Sequence, residues 1–253
     1  MRKRHLVGAL VCGAASILCL IFALSPHVLP RPAQQEINIS VPKPVPVPAP
    51  EPSPAETEPA YESPINFEEL QTINPDIYAW LSIPGAEIEY PILRREGDDT
   101  YYLDHGSDGA YYAGGALFVE SAYNNADFTD PVTIIYGHRM NNGSMFGNVQ
   151  ALYSAEPTFS DCKEIVVYRP DRALRFSVFA AVPFEKTHIL YNYDFSKRRV
   201  FQVFIDQILS TRAIGAVIDN DIEVSHEDQL LILSTCLKGN RDKRFLVCAA
   251  QVN

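Results

Sequence analysis

From Tyr78 to Ala250 the chain reads as short runs of β-branched and aromatic residues cut by polar or glycine-containing turns. The runs are Tyr78–Ile83, Ile88–Leu93, Ala116–Glu120, Val132–Tyr136, Glu164–Tyr168, Leu174–Val182, Gln229–Thr235 and Arg244–Ala250. Pro84-Gly85, Gly114-Gly115 and Lys238-Gly239-Asn240 separate some of them, as expected of residues that punctuate strands. Eight strands without regular βαβ alternation predict a mainly β domain closed into a barrel. Helical spacing is confined to a few segments. Asn66-Phe67-Glu68-Glu69 resembles a capping box opening a short helix that stops near Asn74-Pro75. Val200, Phe201, Phe204, Ile205, Ile208 and Leu209 form an amphipathic stripe, with Lys197, Arg198, Asp206 and Arg212 on the opposite face. This helix falls between the sixth and seventh predicted strands. A shorter helix, Ser144–Tyr153, is predicted after the fourth.

The N-terminal quarter has a different pattern. Leu6 to Leu24 is a run of 19 residues without charge, long enough to cross the roughly 30 Å hydrocarbon core as a helix. Arg2, Lys3 and Arg4 precede it, which predicts a cytoplasmic N-terminus and an extracellular body. The run exceeds the usual 7–15-residue apolar core of a signal peptide, which favours a retained anchor over residues 1–25. From Pro42 to Pro54 prolines occupy alternate positions, and this forbids helix and removes sheet donors. Residues 26–64 are therefore expected to be an extended tether, and 65–253 the folded domain.

Charge narrows the function. Residues 62–253 carry 16 basic and 27 acidic side chains, so the folded part is acidic. That argues against nucleic acid as a partner, because phosphate contacts dominate such affinity. The five cysteines, at 12, 19, 162, 236 and 248, form no C-x-x-C pair and no metal-ligand spacing. No P-loop, dinucleotide fingerprint or H-E-x-x-H is present, and neither metal nor organic cofactor is expected.

Three chemically able side chains stand where predicted strands meet loops. Cys236 ends the run Leu230 to Thr235, Arg244 opens the last run, and His138 follows Tyr136-Gly137 ninety-eight residues before the cysteine. Acyl transfer needs these types together. A thiol attacks as thiolate, a fixed donor meets the oxyanion, and an imidazolium can protonate a leaving amine. The other cysteines fit that chemistry less well. Cys248 falls on the apolar alternation of the last strand, and Cys162 sits in a polar segment beside Asp161 and Lys163. A bridge between those two is conceivable outside a cell. His105, His188 and His226 lie in polar stretches and are expected to be solvated.

Several segments carry a family resemblance. Ile135-Tyr136-Gly137-His138-Arg139-Met140, Gly143-Ser144-Met145-Phe146-Gly147, Leu233-Ser234-Thr235-Cys236 and Asp242-Lys243-Arg244-Phe245 resemble a class B sortase, as does Asn74-Pro75-Asp76-Ile77-Tyr78-Ala79-Trp80-Leu81-Ser82-Ile83-Pro84-Gly85. The likeness covers residues 62–253. It implies an eight-stranded sortase-type barrel with an N-terminal helix and a helix inserted between strands six and seven. It also implies a membrane-anchored transpeptidase of Gram-positive bacteria, which cleaves an LPXTG- or NPXTN-like signal on a secreted protein. The protein would then pass to an amine, on a peptidoglycan precursor or a pilin lysine. By motif, Cys236 would be the nucleophile, His138 the general acid and base, and Arg244 the oxyanion or substrate donor. Ser234, Leu103 and Tyr136 would line the signal groove. Asp99 and Leu237 depart from residues seen in some members, which bears on peptide specificity. The alternatives are a pilin-polymerising sortase and an inactive module that only binds peptide. A thiol hydrolase is disfavoured by the order, histidine before cysteine.

Overall fold

The computed structural model describes residues 61–252. The expected anchor and nearly all of the proline-rich tether lie outside the described residues. Among the described residues, no helix is long and apolar enough to cross a membrane.

The domain opens with α1 (Phe67–Ile73), whose N-terminus is capped as its sequence predicts. Asn66 Oδ1 accepts from the Glu69 amide, and the Asn66 side-chain amide donates back to the Glu69 carboxylate, both at 3.2 Å. The chain then forms β1 (Ile77–Ile83), β2 (Ile88–Arg94), β3 (Leu117–Val119) and β4 (Val132–Tyr136). Two short helices, α2 (Val149–Tyr153) and α3 (Thr158–Asp161), lead to β5 (Glu164–Tyr168) and the long β6 (Ala173–Glu185). An insert carries α4 (Ile189–Asn192), α5 (Arg198–Leu209) and the two-residue β7 (Val217–Ile218), before the hairpin β8 (Leu230–Leu237) and β9 (Asn240–Val252). Around the sheet the order is β5-β1-β2-β3-β4-β8-β9-β6, and β6 pairs back onto β5. Eight strands therefore close the expected barrel, while β7 adds at the side of β6. Full closure leaves those eight strands with no open edge along the ring.

Alternation along the strands divides the core in two. Leu231, Leu233, Phe245, Val247 and Ala249 point inward with Leu81, Ile135 and Phe146. Leu230, Ile232, Leu246 and Cys248 point outward with Val132 and Ile134, and there they meet α5. The predicted stripe is the buried one: Phe201, Phe204, Ile205 and Ile208 are at most 1% exposed. Phe204 packs edge-on against Phe184 of β6 at 6.0 Å between ring centroids. The inserted helix is thus the cover of one patch of barrel wall. Strand β6 can serve both cores because a bulge between Val178 and Ala180 resets its alternation.

Two expectations need correction. The helix predicted from Ser144 begins only at Val149. Gly143 and Met145 take positive φ and Phe146 N–H bonds to His138 O, so residues 140–147 are turned under the end of β4 instead. The loop expected between Cys236 and Arg244 is a tight hairpin, with β9 starting at Asn240 and Gly239 in the left-handed region at φ 82°. Cys162 and Cys248 are free and belong to the inner and outer cores respectively, so the barrel wall separates them.

Phe204→Ala should remove the centre of the outer core and cost about 3–5 kcal/mol. Denaturant unfolding followed by tryptophan fluorescence would measure it, and a loss under 1 kcal/mol would mean that α5 is not an integral layer.

Candidate active site

Strands β4 and β8 run parallel as neighbours, so their C-terminal ends lie at the same end of the barrel. The register pairs Ile135 with Leu233 and Tyr136 with Ser234, and Gly137 N–H then bonds to Ser234 O at 3.1 Å. Strand β4 ends at Tyr136, and His138 follows two residues beyond it, at the end of the barrel where Cys236 follows Ser234. On the other side of β8, Cys236 is the direct antiparallel partner of Arg244. Directly opposed residues project to the same face, with Cβ atoms about 4.5–5.5 Å apart. Tyr136, Ser234, Cys236 and Arg244 share the outer-face alternation of Ile134, Ile232 and Leu246.

The local sequence explains why the strand ends hold this shape. A Cβ at Gly137 would stand 2.4 Å from Leu117 Cδ2 and 2.6 Å from Phe146 Cδ2, so only glycine lets β4 turn over the buried Phe146. Met145 N–H is fixed by the Tyr90 hydroxyl at 3.1 Å. The β8–β9 hairpin is pinned through Lys238 N–H to Gln150 Oε1 of α2 at 2.8 Å.

His138 Nε2 lies 2.7 Å from the carbonyl oxygen of Leu103. A carbonyl only accepts, so Nε2 carries the proton. This contact also brings Leu103, half-exposed at 44%, to the edge of the same face. Arg244 Nη1 reaches the carbonyls of Arg241 and Lys243 at 3.3 and 3.4 Å. Among the described residues no hydrogen bond joins Cys236 to either side chain. The Tyr136 ring stacks on Phe118 at 5.5 Å. Burial, reinforced by the Glu120 carboxylate, pushes its hydroxyl well above the usual tyrosine range, so it remains a donor. Ser234 is buried, and on the inner face Thr235 Oγ1 is buried without a hydrogen-bond partner.

The three thiols of the described residues differ. Cys162 and Cys248 are buried, and burial raises both above the ordinary thiol value. Cys236 is partly exposed. A half-open thiol between a guanidinium-bearing strand and an imidazole-bearing one is equipped for nucleophilic attack on a carbonyl. No cluster of His, Cys, Asp and Glu able to hold a metal occurs among the described residues.

A family model described as the sortase domain matches residues 81–252. The chain belongs to the sortase family. Its relatives indicate class B. It is 30% identical over 173 residues to sortase B of Listeria monocytogenes, a match covering 66% of this chain and 65% of that protein. The chain thus spans slightly less than two thirds of that relative. Among solved structures, sortase B from B. anthracis in complex with AAEK1 is similar at a TM-score of 0.65 and 27% identity, covering 77% of this chain and 89% of that one. A Staphylococcus aureus sortase B–substrate complex is similar at a TM-score of 0.63 and 25% identity, covering 74% and 84%.

Two neighbours of the site in this sortase went unnoticed in the sequence. Glu120 ends the third predicted strand as an ordinary polar residue. His188, expected to be solvated, donates a hydrogen bond to it at 3.0 Å. His105 and His226 also have partners, Tyr101 O at 2.9 Å and the Arg198 guanidinium at 2.7 Å. No local pattern marks these contacts, since each joins segments distant in sequence or sits in a loop.

Brief treatment of the native sortase with iodoacetamide should alkylate Cys236 while sparing Cys162 and Cys248, which should react only after unfolding. Peptide mapping reads this directly, and native labelling of Cys248 at the rate of Cys236 would contradict the burial described.

Proposed function

We propose that this sortase is a membrane-anchored cysteine transpeptidase that cleaves a C-terminal sorting signal after threonine and transfers the protein to an amine. The observation that carries the reading is the strand register, with Cys236 opposite Arg244 and the end of β4, which leads into His138, beside Ser234. In the first step the Cys236 thiolate attacks the threonine carbonyl carbon. Arg244 donates to the oxygen on which charge develops. The carbon–nitrogen bond then breaks, and the leaving amine takes a proton from the imidazolium of His138. In the second step an acceptor amine attacks the thioester, gives its proton to His138 and releases the Cys236 sulfur. Leu103, Tyr136 and Ser234 would contact the signal along the groove.

The resting hydrogen bonds fit this sequence of events. His138 holds a proton at Nε2 against Leu103 O, and Arg244 makes only long bonds to its own hairpin. Both contacts can exchange for substrate, and catalytic hydrogen bonds commonly tighten only in the complex. For cellular placement we assign Leu6–Leu24 as the anchor and the proline-rich segment as a spacer towards the cell wall. The acceptor would be a peptidoglycan precursor or a similar amine-bearing chain.

Intact-mass analysis of the sortase with LPXTG-, SPXTG- and NPXTN-type peptides tests the chemistry. Wild type should gain the peptide up to its threonine, and Cys236→Ala should gain nothing. Arg244→Ala should slow acylation about 100–1,000-fold, the loss typical of an oxyanion donor. Cleavage by the alanine variant at Cys236 would refute the mechanism. No adduct with any peptide would favour the inactive binding module, and laddering of a purified pilin would favour polymerisation. In membrane preparations the full chain should resist carbonate extraction, and a chain lacking residues 1–25 should be released.

A further inference from the structure

Glu120 follows β3 on the face that carries Tyr136. The pairing of Phe118 with Tyr136 is antiparallel, so two residues on, Glu120 falls opposite Ile134. Its side chain is only 16% exposed. Oε1 accepts from His188 Nε2 at 3.0 Å, and Oε2 is buried without a hydrogen-bond partner. A carboxylate taken this far out of water is costly unless its neighbours compensate. The neighbour that compensates it is His188.

His188 is the N-cap of α4. Its Nδ1 accepts from Tyr191 N–H at 3.0 Å, so the ring proton must sit on Nε2, the atom that faces Glu120. The imidazole also lies against Tyr123 at 4.7 Å between ring centroids. Beyond α4, Tyr193 and Phe195 pack on Phe204 of α5 at 5.0 and 5.2 Å. One carboxylate is therefore bound to the residue that starts the insert.

We propose that Glu120 is a positioning residue, which fixes the α4–α5 insert through His188 from the strand face that also carries Tyr136. It does not reach the reacting atoms. Along a strand, the four residues from Ile134 to His138 span about 13 Å. Its effect falls on how firmly the groove holds peptide, and on the acylation step only through that. This rests on the transpeptidase reading for its kinetic consequence, but its structural consequence stands apart from it.

Acylation kinetics and hydrogen exchange of the full chain separate these. Glu120→Ala should raise KM for the signal peptide about tenfold and leave kcat within about threefold, the pattern of lost ground-state binding. Glu120→Gln, which keeps an acceptor for His188 Nε2–H, should recover most of the loss. His188→Ala should raise KM in wild type yet add little in the Glu120→Ala background, the non-additivity of a coupled pair. Independently of activity, Glu120→Ala should speed exchange of the Tyr191, Asn192 and Tyr193 amides while β8 and β9 remain protected. Unchanged KM with unchanged exchange would overturn the proposal, as would strictly additive single substitutions. No peptide adduct on wild type would overturn the transpeptidase reading, and faster exchange in α4 would still support the tie.

Discussion

The parallel pairing of β4 with β8 is the constraint on which the candidate site depends. Parallel neighbours require a long crossover, and here it contains α2, α3, β5, β6 and the whole insert. In return, two strand ends come to the same end of the barrel with side chains on one face. The antiparallel hairpin of β8 with β9 then adds Arg244 opposite Cys236. Cys236 and Arg244 acquire a fixed relation through the ladder of β8 and β9, and β4 brings His138 to the same end of the barrel. Rigid elements of this kind hold a constellation better than loops do.

The two-sided wall makes the arrangement stable. Strand β8 from Leu230 to Leu233 and β9 from Phe245 to Ala250 are apolar on both faces, one face inside the barrel and one under α5. Near the C-terminal end of β8 the outer cover stops, and there the outward positions become Ser234 and Cys236. The transition from apolar to polar along one face marks where the apolar packing ends. The same change occurs on β4, where Ile134 gives way to Tyr136 and then His138.

The strands were legible because each is a short β-branched run between turn residues, and the inserted helix because its stripe is long and regular. His138, Cys236 and Arg244 were legible as residue types at strand ends, but their adjacency was not. It depends on which strands pair and in what register, which no local pattern specifies. The segment from Ser144 misled for a local reason: its helix-compatible residues include the turn around Gly143 and Met145, where buried Phe146 decides the backbone. The link between Glu120 and His188 was invisible because a hydrogen bond across 68 residues leaves no periodicity behind.

The crossover also has a kinetic meaning. The contacts that define the barrel around the thiol are long-range in sequence, and such topologies fold slowly because loop closure precedes the reward of pairing. Strand β9 lies between β8 and β6, so the ring cannot close until that last described strand is in place. A chain emerging in order from its N-terminus would therefore present Cys236 for some time as an ordinary unfolded thiol, without its partners in register. The assembly of thiol, imidazole and guanidinium becomes a late and cooperative event, and a partly made chain carries these residues without their arrangement.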